Sequence, residues 1–113
     1  MKKIELKDVK AYKAPAHFDM SSLKLHGKEE SGATQFWLGL SHFLPGGGAE
    51  FTGAPVERIY FVLEGEVVVR GDNEEHILRR YDSLFIGPNE KRGVLNKTNS
   101  PASVLVFCSN PLP

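Results

Sequence analysis

Residues 46–65 read GGGAEFTGAPVERIYFVLEG, and the order of glycine, proline and apolar residues in that stretch decides the fold. Three glycines after Pro45 predict a turn that feeds a short strand, Ala54-Pro55 breaks it, and Arg58 to Leu63 is a second strand ending at Glu64-Gly65. Tyr60 and Val62 share a face with Arg58, while Ile59, Phe61 and Leu63 form the other face. Both faces are apolar, so both need cover.

Working outward, Thr34 to Leu44 (TQFWLGLSHFL) predicts another strand covered on both sides. Phe36, Leu38, Leu40, His42 and Leu44 alternate onto one face, and Trp37, Ser41 and Phe43 onto the other, with Gly39 leaving room for a neighbour. Upstream, Leu23 and Leu25 suggest a half-buried strand and Gly27 to Gly32 an exposed, charged turn. Ile4, Leu6 and Val9 suggest an opening strand, followed by an extended arm. Downstream, Glu66 to Arg70 and His76 to Leu78 flank a tight turn at Gly71-Asp72-Asn73. Asp82 to Ile86, Val94-Leu95 and Ala102 to Phe107 complete the strands. No segment carries a capped helical period. Short strands and glycine-rich turns predict an all-β fold, a closed barrel or two-sheet jelly roll that hides its strand edges.

The chain has 113 residues, 41% hydrophobic and 25% charged, enough for one domain with its own core. Fourteen basic and fourteen acidic residues cancel, which argues against nucleic acid and anionic membrane as partners. The N-terminus, MKKIELKD, lacks the apolar centre of a secretion signal, and a cytoplasmic location is the expectation. Cys108 is the single cysteine and reads as structural, because no histidine or basic residue adjoins it in sequence.

The same stretch resembles the first motif of the cupin superfamily: a glycine, five residues, His-x-His, a short gap, a third ligand, six residues and a closing glycine. Gly46 and Gly65 stand at its ends, Val62-Leu63-Glu64-Gly65-Glu66 is similar to its most recognisable run, and the three ligand positions fall on Thr52, Ala54 and Arg58. The second motif's histidine falls on Arg92, followed three residues later by the expected asparagine, Asn96. Tyr81 replaces that motif's first glycine, Gly87 its proline and Asn89 its second glycine. The resemblance covers roughly residues 34 to 107. It implies a double-stranded β-helix, or jelly-roll, barrel over 34–113, preceded by an N-terminal arm with edge strands over 1–33. It also implies a homodimer.

Thr52, Ala54, Arg58 and Arg92 supply no ligand set for a transition metal, since a guanidinium has only N–H donors and stays protonated. Neither metal nor other cofactor is therefore expected, and a metal relocated to His42 and Glu50 would have two ligands where three or more are usual. If Arg58 and Arg92 point inward as the residues they replace would, two fixed positive charges occupy the barrel. At about 6 Å and an effective dielectric of about 20 they repel by about 3 kcal/mol. A carboxylate or phosphate offsets that repulsion and suits paired arginine forks; Glu50 and Glu90 could do the same internally.

The expected function is thus binding of a small anionic metabolite through Arg58 and Arg92, with Thr52 and Phe51 beside them. The alternative is a metal-independent isomerase, epimerase or lyase in which His42, with Glu50 or Tyr60, moves a proton. Tyr60 either donates to a ligand or simply packs. His17, His26 and His76 read as solvated.

Overall fold

In the computed structural model, which describes residues 1–110, the alternating segments become nine strands, every pairing between them antiparallel. They are β1 (Ala11–Tyr12), β2 (His17–His26), β3 (Phe36–Thr52), β4 (Arg58–Glu64), β5 (Val67–Arg70), β6 (Glu75–Leu78), β7 (Ser83–Ile86), β8 (Arg92–Leu95) and β9 (Ala102–Ser109). The order β6-β5-β8-β3-β9-β4-β7, with β2 on β3 and β1 on β2, makes a nearly closed jelly-roll barrel. The expected end of the barrel at residue 113 lies outside the described residues.

The opening glycines do not make a turn. β3 runs unbroken through them for seventeen residues and changes partner there. Its first half, Phe36 to Phe43, pairs with β9, and its second half, from Gly48, pairs with β8. A methyl group on Gly47 would overlap the carbonyl oxygen of Asp19 on β2, and one on Gly48 would overlap that of Val94 on β8. These glycines are needed because neighbouring backbones crowd β3 from both sides as it bends from one sheet into the other.

Asn96 fixes the same corner. It is fully buried; its amide donates to the carbonyls of Phe43 and Ser100, and its Oδ1 accepts from the Thr98 N–H and hydroxyl. Its backbone exchanges two hydrogen bonds with Gly46 and Gly47. The second motif's glycine positions also keep a glycine-like backbone without glycine, with Tyr81 at φ 70° and Asn89 at φ 63°.

Local expectations are refined. Ile4 to Val9 is not a strand but contains a 3-10 turn at Leu6–Asp8. The arm after it is extended, as expected, but it is also paired, since the strand at Leu23 and Leu25 reaches back to His17 as the ten-residue β2 along β3. Gly27 to Gly32 contains one helical turn, α1 (Lys28–Ser31), closed by Gly32 at φ 77°. None of the described helices is long and apolar enough to cross a membrane.

The core lies between the sheets, around Phe43, Val62, Val67, Val69, Val94 and Val104. Outside, Leu38, Phe107, Ile59 and Phe85 stand side by side on β3, β9, β4 and β7. Phe107, Ile59 and Phe85 are exposed. Both faces of β4 are thus apolar, as its sequence requires; the chain buries the inner one but covers the outer one only in part, with Phe61 and Leu63 half-buried and Ile59 exposed.

Candidate functional site

A cavity of about 230 Å³ opens between the sheets. Its walls come from alternate residues of each strand: Trp37, Gly39, Ser41 and Phe43 from β3, Arg58 and Tyr60 from β4, Arg92 and Val94 from β8, and Val104, Val106 and Cys108 from β9. Tyr12, Ala14, Pro15 and His17 close one side from the arm. The volume is below the roughly 300–1,000 Å³ of drug-sized pockets and suits a ligand of a few heavy atoms.

Arg58 and Arg92 are 7% and 6% exposed, so both guanidiniums are removed from bulk water. Arg92 Nε donates to the Tyr60 hydroxyl at 2.6 Å and its Nη1 to the Glu50 carbonyl at 3.0 Å. Arg58 Nη2 donates to the Glu90 carbonyl at 3.3 Å, while its Nε is buried with no hydrogen-bond partner among the described residues. Burial pushes the Arg58 guanidinium below its usual range. Arg92 adds to that shift, while Tyr60, Cys108 and Glu90 work against it.

Internal neutralisation does not occur. No ion pair among the described residues includes either arginine. Glu50 and Glu90 lend only backbone carbonyls, and the Glu90 carboxylate accepts instead from the Gly87 N–H at 2.8 Å.

Of the residues singled out by sequence, Arg58, Arg92 and Tyr60 meet in the cavity. His42 does not join them. It sits between the cavity-lining Ser41 and Phe43 on the opposite face of β3, with Nδ1 2.9 Å from Ser103 Oγ. Glu50 and Phe51 line a separate outer groove, where the Arg70 guanidinium lies 4.7 Å from the Phe51 ring. Thr52 is the register partner of Arg92, yet it is exposed and outside the cavity. The convergence of His42, Glu50 and Tyr60 required by the proton-transfer alternative is therefore not formed.

His17, read from sequence as solvated, lines the cavity instead. Its Nδ1 lies 2.7 Å from the Pro15 carbonyl. Burial lowers its pKa from 6.5; Arg92 and Arg58 act in the same direction, and the Pro15 bond opposes them. The composition around His17 carries no periodic signal; its place follows from the pairing opposite Ala49 on β3 and the left-handed backbone of Ala16 and Asp19 on either side. Cys108 also lines the cavity, with its thiol pushed up by burial against the pull of Arg58. A raised pKa keeps it protonated, consistent with a wall residue.

A transition metal does not fit these residues. Ala54, Arg58 and Arg92 line the cavity at three of the four motif positions, and no group of three or more His, Cys, Asp or Glu side chains suited to a metal occurs among the described residues. His42 and Glu50 face different surroundings and cannot share an ion as they stand.

The profile of the Cupin domain family matches residues 39–108. A Mycobacterium tuberculosis protein named beta-D-galactosidase is 40% identical over 101 residues, covering 89% of this chain and 87% of its own. Among solved structures, the polyketide cyclase RemF of Streptomyces resistomycificus superposes with a TM-score of 0.85 at 23% identity, covering 96% of this chain and 79% of the other. A sugar phosphate isomerase of Silicibacter pomeroyi superposes with a TM-score of 0.81 at 23% identity, covering 96% and 76%.

Proposed function

The chain belongs to the Cupin domain family, and from that premise we propose that its barrel binds a small carboxylate or phosphate between Arg58 and Arg92. The observation that carries this reading is a pair of buried guanidiniums without a carboxylate partner among the described residues, one of them with an Nε unpaired among them. Each unpaired buried charge is costly, and an anion would offset both desolvation and mutual repulsion through charge-assisted hydrogen bonds. The Tyr60 hydroxyl accepts from Arg92 and keeps its own proton to donate to a bound oxygen.

A thermal-shift screen of carboxylates and phosphorylated metabolites tests the site. At a hundred times its dissociation constant, a ligand adds about 2.7 kcal/mol. Stabilisation is expected for the parent and not for Arg58→Ala or Arg92→Ala. If no anion stabilises the parent, or if both variants respond as it does, the site is not there.

The galactosidase relative raises glycoside hydrolysis, which ordinarily uses two carboxyl groups flanking the bond. Among the described residues the cavity wall includes no Asp or Glu, which favours anion binding over that chemistry in this chain. Release of nitrophenol from nitrophenyl β-D-galactoside, abolished by Arg58→Ala, would reverse that preference.

The proposal includes a homodimer. Its basis is the apolar row Leu38, Phe107, Ile59 and Phe85 across the outer sheet, which a second copy of the chain would cover.

A further inference from the structure

His17 stands outside the matched residues 39–108 and enters the cavity from β2. A carbonyl oxygen can only accept, so the 2.7 Å contact with Pro15 puts the ring proton on Nδ1. In the neutral ring Nε2 then holds a lone pair, and it has no hydrogen-bond partner among the described residues.

The backbone around His17 is constrained on both sides. Ala16 has φ 58° and Asp19 φ 49°, a left-handed conformation rarely adopted by residues other than glycine. It is held there because the Ala16 carbonyl accepts the Glu50 N–H at 2.8 Å and the bare backbone of Gly47 admits the Asp19 carbonyl. An imidazole on a constrained backbone, two cations and a phenol line one small cavity.

We propose that His17 is the catalytic base of this cavity, acting on a small enolisable carbonyl compound whose carboxylate or phosphate is held by Arg58 and Arg92. The proposal rests on the anion reading above. The C–H bond beside the carbonyl breaks, and its proton passes to Nε2. The bonding pair becomes the C=C bond of an enolate, while the carbonyl π pair moves to oxygen. That oxygen is stabilised by a guanidinium and by the Tyr60 O–H. Returning the proton from Nε2 to the same carbon restores the imidazole and the carbonyl, and releases the substrate with that hydrogen exchanged for one from solvent. No oxidant or co-reactant is required.

The groups facing His17 agree with this role. Arg58 and Tyr60 come from β4, Arg92 from β8, Cys108 from β9 and Tyr12 from β1, while β3 adds no charged side chain to the cavity. Burial, with a smaller push from Arg92 and Arg58 and against the Pro15 bond, favours the neutral ring, the form a base requires.

The test follows hydrogen–deuterium exchange at the carbons beside the carbonyl of pyruvate and of dihydroxyacetone phosphate in heavy water, with inorganic phosphate as the binding probe. The parent is expected to exchange at least one of the two. His17→Gln should lose at least about 100-fold in exchange rate and still be stabilised by phosphate. Parent-like exchange in His17→Gln, or no exchange by a parent that phosphate stabilises, overturns the base and leaves the anion site standing. A parent that phosphate, pyruvate and dihydroxyacetone phosphate all fail to stabilise overturns both. Should His17→Gln not fold, the parent's exchange rate must rise with pH through the midpoint at which the His17 ring titrates by NMR, and a flat profile overturns the proposal.

Discussion

Arg92 Nε donates to the Tyr60 hydroxyl at 2.6 Å, and both side chains are buried in the barrel. The bond holds the guanidinium against the inner face of β4, where a family member would place a metal ligand. Tyr60→Phe removes the acceptor, leaves a charged donor unsatisfied and keeps the ring. A loss of about 1–3 kcal/mol is expected in urea unfolding, together with weaker stabilisation by phosphate. Parent-like values for both would mean that the phenol only packs.

The His17 pKa is lowered in the fold, so the unfolded chain binds the proton more readily. Protons bound in the unfolded state exceed those in the native state, and stability rises with pH across that window. The contribution of neutral His17 is therefore complete above 6.5 and lost as pH falls toward the folded value. Thermal midpoints measured from pH 7.5 down to pH 5 should fall more steeply for the parent than for His17→Gln. Parallel curves would show that His17 titrates as if exposed.

How much of this was legible in the sequence depends on what fixed each residue's direction. Arg58, Tyr60 and Val62 were readable because strict alternation along a regular strand needs no other information. His42 was assigned the correct strand face, but both faces of that strand are apolar, and alternation alone does not say which one lines the cavity. Glu50 and Thr52 escaped because the β3–β8 register shifts between Ala49 and Thr52, which breaks the parity argument at the proposed ligand positions. His17 left no signal because its direction comes from left-handed Ala16 and Asp19, residue types that do not announce that conformation. The glycine run predicts a turn where the structure has a crowded strand, since close backbone approach demands glycine as strongly as a turn does.

The exposed row at Ile59, Phe85 and Phe107 predicts a dimer by sedimentation at micromolar concentration. Placing a carboxylate in its centre with Phe107→Asp should leave the inner wall intact, because Val106 and Cys108, not Phe107, line the cavity. The expected outcome is a folded monomer. A monomeric parent, or a variant that stays dimeric, would remove this face as the interface.

Asn96 joins the β3 corner to the turn after β8 through its side chain as well as its backbone. Asn96→Ala strands the buried Phe43 carbonyl and the part-buried Thr98 N–H. The expected cost is about 2–4 kcal/mol, taking about 1–3 kcal/mol for each unmet group with partial relaxation. Chemical denaturation measures it, and a loss below about 0.5 kcal/mol would mean that water replaces the side chain at little cost.

The glycines at the β3 corner separate two reasons for having no side chain. Gly46 has φ 83° and open space around the position of a Cβ, so Gly46→Ala should cost about 1–2 kcal/mol from backbone strain alone. Asparagine tolerates that conformation better, and Gly46→Asn should recover part of the loss. Gly48 lacks the positive φ, but any Cβ there overlaps the Val94 carbonyl across the β3–β8 pair. Gly48→Ala and Gly48→Asn should then be equally damaging, at about 3 kcal/mol, because β8 must move away. That movement would also displace Arg92 at the head of β8, so phosphate should stabilise the Gly48 variants less than the Gly46 variants. Rescue of Gly48→Ala by asparagine would show that conformation, rather than contact, selects glycine there.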